Sequence, residues 1–316
     1  MTLTRTPPST TTESTPTRPP KQPGRSGPRR SESRWGLLLA APAALHILVW
    51  TGIPVLAAFV LSFTDYDMIE RPSFIGVSNY IELLGDTIFW KGILNNLIMA
   101  VIGIPISMLI ALVLAVLLNR GLRGEGLFRT LVFLPHVTAT VAVAMIWLWI
   151  YAPTGNGLAN MALSVFGIGP LDWLTEADLA LPAVIVVTIW QGIGLKMLIY
   201  LASLQGISQE MYEAAEIDGA GPVQKFFRIT VPMLKPATFF VLVTSIIANF
   251  QVFDLVYNLT SGGPANSTTV VTYEIYQTAF QQFRMGLATA QSVVLLLILV
   301  VLTIISRKLV GGTDND

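Results

Sequence analysis

Six stretches of the chain are almost wholly apolar, each about the length of a bilayer crossing, and polar segments of unequal character separate them. About 20 consecutive apolar residues carry a helix through the hydrocarbon core. The runs are Trp35–Phe63, Leu94–Leu118, Phe128–Tyr151, Leu179–Leu201, Ala237–Leu259 and Gly286–Ile305. They predict an all-α integral membrane protein with six transmembrane helices over residues 35–308. Pro105 can kink the second run; no pair of broken segments is evident. One interruption stands apart. Ser208–Pro236 holds four carboxylates, three basic residues and several turn residues, and it divides into two short amphipathic pieces. Ser208 suits a helix N-cap, with Glu210 in the first turn favouring the positive end of the dipole. That piece stops at Gly219. Gly221-Pro222 restarts the chain, with proline fitted to a first helical position. The second piece carries Phe226, Phe227 and Ile229 beside Lys225 and Arg228, and it closes at Pro232 and Pro236.

The charges in the connections orient the runs. Asn119–Leu127, Ala202–Pro236, the N-terminal segment and Arg307-Lys308 hold most of the Lys and Arg. Thr64–Ile93 instead carries Asp65, Asp67, Glu70, Glu82 and Asp86 against Arg71 and Lys91, and Ala152–Asp178 has three carboxylates and no base. By the positive-inside rule both termini and Ser208–Pro236 are expected in the cytoplasm. Residues 1–34, rich in Pro, Thr, Ser and Arg, bury too little to offset their ordering entropy and are expected to be a disordered basic cytoplasmic tail; a regulatory or lipid-binding tail is the alternative. Residues 309–316 form a short cytoplasmic C-terminal tail. Residues 64–92 are expected to include a short interfacial helix with Tyr80 and Trp90 near the headgroups, and Thr260–Pro264 a compact turn.

Composition narrows the chemistry. Of the 316 residues 53% are hydrophobic and 12% charged, half the roughly 25% charged of soluble domains; mean hydropathy is +0.64. The formal net charge of zero and the absence of a basic domain give no sign of a nucleic-acid partner; membrane lipid is the expected surround. There is no cysteine, and the two histidines, His46 and His136, stand far apart, which argues against disulfide, thiolate and multi-histidine metal sites. GxxxxGK[ST], HExxH and GxSxG are absent, and Gly192 and Gly194 fit close helix packing better than a dinucleotide turn. Work on a solute must therefore draw energy from an ion gradient or from a partner that hydrolyses nucleotide. An ion-coupled carrier needs ionisable groups at mid-membrane. The runs offer Asp254 and Lys196, the latter expected to snorkel towards the cytoplasm.

The polar interruption carries a resemblance. Glu213-Ala214-Ala215, three residues, Gly219, nine residues, Ile229, one residue, Val231-Pro232 resembles the EAA loop of permeases of binding-protein-dependent ABC importers. Val231 replaces the usual leucine, and Asp218-Gly219-Ala220 is the usual continuation. The likeness extends over about residues 37–308. Ser62-Phe63-Thr64, Phe74-Ile75-Gly76, Asn79-Tyr80, Leu134-Pro135, Trp147, Trp190-Gln191, Phe253-Asp254 and Thr260-Ser261-Gly262-Gly263-Pro264 are similar to the carbohydrate-uptake class. Within that class the chain looks like the first of two unlike permease subunits.

The resemblance implies a type I ABC importer permease fold and a four-part engine. A second permease subunit completes the path, two ABC ATPase subunits bind the coupling loops, and an extracytoplasmic solute-binding protein delivers an oligosaccharide, disaccharide or glycerol-phosphate-type solute. The setting is a bacterial-type cell membrane. The chain itself is then a transport subunit, not an enzyme; it binds no cofactor, and ATP and Mg are used by the partner ATPases. Within the coupling loop 208–236, Glu213, Ala214, Ala215, Glu216, Asp218, Gly219, Ile229 and Pro232 match the motif. Glu213 and Glu216 are expected to meet basic groups of the ATPase, the alanines to permit close approach, and Gly219 to take a positive φ. An amphipathic pair lying on the lipid surface is the plainer alternative. For the solute path, Gln251, Asp254 and Asn258 fall at i, i+3 and i+7 on one helical face, with Asn249 and Phe253 on adjacent faces. Plain interhelical hydrogen bonding is the competing reading for each, and Trp190 and Gln191 are secondary path candidates, expected rather to serve outer-half packing. The rival functional class is an ion-coupled secondary transporter acting without an ATPase.

Overall fold

The computed structural model describes residues 30–121, 124–153 and 155–310. Most of the predicted tails, 1–29 and 311–316, lie outside these. The bordering residues 30–34 and 309–310 are helical rather than tail. Contacts divide the chain into two units, Met1–Pro54 and Val55–Asp316. The first holds α1 (Arg30–Ile47), a π-helical turn (Leu48–Gly52) and the start of α2 (Ile53–Leu61).

The second unit is built of helices and one two-residue hairpin, β1 (Thr64–Asp65) against β2 (Ser73–Phe74). After the hairpin come α3 (Ser78–Gly85), α4 (Thr87–Leu118), α5 (Glu125–Val137), α6 (Thr140–Ile150), α7 (Leu158–Ser164) and α8 (Ala177–Gln205). The polar interruption folds as α9 (Gln209–Ile217), α10 (Pro222–Lys225), a π turn (Phe226–Thr230) and α11 (Val231–Met233). The chain ends in α12 (Lys235–Phe250), α13 (Asp254–Leu259), α14 (Val271–Tyr276), a π turn (Gln277–Gln281) and α15 (Met285–Val310). Among the described residues, four helices, Leu39–Leu61, Thr87–Leu118, Ala177–Gln205 and Met285–Lys308, are long and apolar enough to cross a membrane. Two bent pairs raise the number to six when each counts as one span: α5 with α6, turned by 99°, and Pro222–Met233 with α12, turned by 61°.

Local chemistry accounts for several boundaries. Asp86 caps α4, its carboxylate accepting from the Ile88 and Phe89 N–H groups at 3.0 Å. Arg307 and Lys308 occupy the last turn of α15, where cations suit the dipole. The centre of the second unit is the packing of α4 on α8. Ala111 and Ala115 of α4 are fully buried there against Met197, Tyr200 and Leu201, small side chains letting the helices close up. Gly194 brings α5 against α8 still more tightly: a Cβ at this position would stand 2.5 Å from the Val132 carbonyl oxygen.

Two predicted spans are not single helices. The third, Phe128–Tyr151, breaks at Thr138–Ala139, just past Pro135, whose ring takes a backbone donor out of the helix. The fifth, Ala237–Leu259, breaks at Gln251–Phe253 with neither proline nor glycine at the break. Broken segments are therefore present, against the expectation from sequence. The connections are also more ordered than their polarity suggested. Residues 260–285 include α14 and a π turn, and Asn160 knits residues 152–173. Its amide donates to the Ala152 and Leu171 carbonyls at 3.1 Å and accepts from Trp173 Nε1 at 2.9 Å.

Candidate functional site

The break in the fifth run is made by partners on α4. Asn96, fully buried, donates to the Asn249 carbonyl at 2.9 Å and accepts from the Val271 N–H at 2.9 Å. Asn95 donates to the Thr269 carbonyl at 2.8 Å. Thr272 Oγ1 donates to the Val252 carbonyl. Two of the carbonyls that a continuous helix would have paired, those of Asn249 and Val252, thus accept from side chains, the kind of satisfaction that irregular backbone away from water requires. Gly92, whose Cβ would stand 3.1 Å from the Val271 nitrogen, lets this segment lie flat on α4.

Beside the break lies a cavity of about 410 Å³, within the range of small-molecule sites. α4 lines it with Met99, Gly103, Ile104 and Ser107, and the α5–α6 bend contributes His136 and Thr140. α8 presents Thr188, Gln191, Gly192 and Lys196. α12 and the break supply Thr244, Ser245, Asn249, Gln251, Phe253 and Asp254. Four of the five path residues predicted from sequence therefore meet there. Asn249 is the most telling, because its side-chain oxygen is buried and has no hydrogen-bond partner. Phe253 stacks on Tyr257 at 5.4 Å and packs on Tyr276 at 5.1 Å. Asn258 is not part of the cavity; its amide donates to the Asp254 carbonyl one turn back at 2.6 Å. The single-face arithmetic for Gln251, Asp254 and Asn258 fails because the helix restarts between the first and second of them.

Two contributors, His136 and Lys196, went unassigned from sequence, and a third was only a secondary candidate. Gln191, expected to pack, lines the cavity, whereas Trp190 does pack, edge-on to Trp147 at 5.6 Å. His136 is brought in by the 99° bend. Lys196 does not snorkel along α8 towards the Gln205 end: its ammonium donates to Ser107 Oγ at 2.8 Å. The recoverable signal was a stripe of small and polar residues on α8 at Thr188, Gln191, Gly192 and Lys196, recurring every three to four positions.

The polar interruption is a rigid two-armed loop. Ser208 Oγ accepts from the Glu210 N–H at 3.3 Å, the expected cap. Gly219 has φ +79°, and the Ala220 N–H returns to the Ala215 carbonyl at 2.8 Å, a helix end that needs a residue tolerant of the left-handed region. Pro222 opens α10. The arms are joined by a hydrogen bond between the Tyr212 and Thr230 hydroxyls, 2.9 Å, and by an ion pair between Glu216 and Lys225. Glu216 is thus engaged within the loop, while Glu213, Ala214, Asp218 and Gly219 are exposed. Ala215, Asp218 and Ile229 line a hollow between the arms; Pro232 sits at the start of α11. Ile217, Val223 and Phe227 project from the same loop at 87%, 71% and 65% exposure.

Several residues of the extended resemblance serve structure. Asn79 donates to the Ser62 and Thr64 carbonyls at 2.9 Å, and Ser62 and Tyr80 share a 2.7 Å hydrogen bond. They tie α3 to the end of α2 and to the hairpin.

Comparison with known proteins agrees with this geometry. Residues 103–312 match the family described as binding-protein-dependent transport system inner membrane component. The chain is 40% identical to the lactose transport system permease protein LacF of Rhizobium radiobacter over 252 residues, 78% of this chain and 83% of that protein. It is 34% identical to the sn-glycerol-3-phosphate transport system permease protein UgpA of Yersinia pestis, covering 83% and 85% of the two chains. Among solved structures, a chain of a bacterial ABC transporter involved in the import of the acidic polysaccharide alginate superposes with a TM-score of 0.76 at 24% identity, covering 90% of this chain and 99% of that one; this shows a shared fold. The match over two thirds of the chain, together with relatives of nearly full length, places it: the protein belongs to the binding-protein-dependent transport system inner membrane components, among the carbohydrate-uptake ABC transporter permeases.

Proposed function

We propose that this chain is one of two permease subunits of an ATP-driven importer of a sugar or sugar-like solute, and that the 410 Å³ cavity is its half of the translocation path. The observation that carries this reading is the placement of Asn249, Gln251, Phe253 and Asp254 around one space beside a helix break. Sugars are held by convergent hydrogen-bonding groups with an aromatic face among them, and unwound backbone in a membrane belongs where it lines a cavity. Both termini and the 208–236 loop lie in the cytoplasm on the positive-inside argument. An extracytoplasmic binding protein delivers the solute on the opposite side.

The chain carries no phosphate-binding loop, so the energy comes from partner subunits that bind ATP and Mg. The 208–236 loop is the mechanical link. Its exposed Ile217, Val223 and Phe227 beside Glu213 and Asp218 form a mixed apolar and charged surface, of the kind that docks on a protein. The Glu216–Lys225 pair and the Tyr212–Thr230 hydrogen bond brace the two arms, so that a push on α9 reaches α12 and tilts the bundle instead of deforming the loop.

Gentle detergent purification of the tagged full-length chain tests the assembly. The expected result is recovery of a second permease and an ATPase in the same complex. Recovery of the chain alone, with solute uptake driven by an ion gradient, would replace this reading by that of a secondary transporter.

A further inference from the structure

Lys196 is a half-buried cation on the wall of the cavity. Side chains of a helix lean towards its N-terminus, and this one folds back far enough that a Cβ on Gly192, one turn earlier, would stand 3.0 Å from its ammonium nitrogen. The missing side chain at Gly192 makes the space. The ammonium has three donors. One goes to Ser107 Oγ at 2.8 Å, whose own proton is given to the Ile104 carbonyl at 2.9 Å. The other two find no hydrogen-bond partner among the described residues, and none of the ion pairs found there includes Lys196. A lysine at the centre of a span costs about 2.5–3.5 kcal/mol on insertion scales, and a neutral hydroxyl recovers little of that. The cavity's other charged side chain, Asp254, stands exposed at the start of α13 and makes no ion pair with Lys196 among the described residues; His136 lies at the α5–α6 bend.

We propose that Lys196 makes this cavity selective for sugars bearing an acidic group, a carboxylate or a phosphate ester, whose negative charge docks on the free donors of its ammonium. The proposal rests on the importer reading above and names the class of solute for the same site. Ser107 and Gly192 are positioning residues, the first anchoring the ammonium and the second leaving it room. Asn249 and Gln251 remain for the neutral hydroxyls.

The test uses the complex purified with its partner subunits and binding protein and reconstituted in vesicles. Uptake of labelled digalacturonate, sn-glycerol 3-phosphate, lactose and maltose is measured with the wild-type chain, Lys196→Met and Lys196→Arg. Methionine fills similar volume without a buried charge, so the variant is expected to assemble, and co-elution of the partners checks this. The expected result is uptake of an acidic probe by the wild type, the carboxylate and phosphate arms telling which group is read. Lys196→Met should then lose at least about tenfold of that uptake, the weight of one charged hydrogen bond, and Lys196→Arg should keep most of it. Uptake confined to lactose or maltose would overturn the proposal and leave the importer reading intact, as would an assembled Lys196→Met complex that takes up the acidic probe at the wild-type rate. Absence of an ATPase from the wild-type complex would instead overturn the importer reading on which the proposal stands.

Discussion

Gly194 and Gly219 are glycines for different physical reasons, and the difference predicts different behaviour on substitution. At Gly219 nothing stands within 4 Å of the missing Cβ; the constraint is φ +79°, which costs an L-residue about 1–2 kcal/mol. At Gly194 the constraint is space. An added Cβ would meet the Val132 carbonyl oxygen at 2.5 Å and the Phe133 Cα at 2.7 Å, both backbone atoms of α5. Gly194→Ala must push α5 off α8, and overpacking of this kind costs about 1–3 kcal/mol. We expect a clear fall in the melting temperature of the detergent-purified protein, while Gly126→Ala, in α5 with open space around it, keeps it or raises it slightly, since alanine is the better helix former. The sequence assigned both Gly192 and Gly194 to helix packing. That holds for Gly194; Gly192 faces the cavity, a distinction that depends on which helix is the neighbour and so was not readable from spacing. Lys196 was misread for the same reason, since the pull of Ser107 comes from 89 residues away.

Among the elements, the break between α12 and α13 shapes the cavity and was the least legible feature. Its residues Gln251, Val252 and Phe253 carry no turn signal, and the apolar run continues through them. The break is specified across the bundle by Asn96, 153 residues from the carbonyl it holds. Asn96→Leu removes the side-chain donor to the Asn249 carbonyl, which keeps a long 3.4 Å bond from the Val252 N–H, and leaves the buried Val271 N–H without its partner, at about 1–3 kcal/mol. We expect a lowered melting temperature and lost transport from this variant, even though leucine is the more apolar residue; a fully active, equally stable Asn96→Leu protein would show that the break is not held there. Elements that depend on local rules were legible: the Ser208 cap, the Gly219 stop and the Pro222 restart all follow from residue type. At the α3 end, Glu82 meets Arg284 through two 2.6 Å contacts, and the hydrogen bond from Arg284 holds its carboxyl below the usual range. A depressed acid contributes its stability above the unfolded value, near pH 4.3, and loses it as pH falls through the lower folded value. Both side chains are about half exposed, so the gain is under about 1 kcal/mol. The melting-temperature advantage of the wild type over Glu82→Gln should accordingly be small at pH 7 and vanish in acid.

At the scale of the whole molecule, the proposed function makes the cavity and the 208–236 loop the two ends of one lever. α12 is continuous with both: its first turn follows α11 and the loop, and its last residues, Asn249 and Phe250, reach the break. The loop charges, the missing phosphate-binding loop and the spacing from Glu213 to Pro232 point to a coupling end from the sequence, and the local form of that loop, with its Ser208 cap, Gly219 stop and Pro222 restart, is as expected. The solute end was half legible, because mid-span polar residues announce a path but not the helices that will face it. In the proposed function, force from ATP hydrolysis in partner subunits enters through the 208–236 loop. The most direct measurement is ATP hydrolysis by the reconstituted complex on addition of solute-loaded binding protein, compared between wild type, Glu213→Lys and Gly219→Asp. Glu213 is exposed and outside the loop's internal ion pair, so its replacement should spare insertion and folding. Both variants are expected to insert normally and to lose solute-stimulated hydrolysis and uptake together; unchanged stimulation in Glu213→Lys and Gly219→Asp would show that the force enters elsewhere.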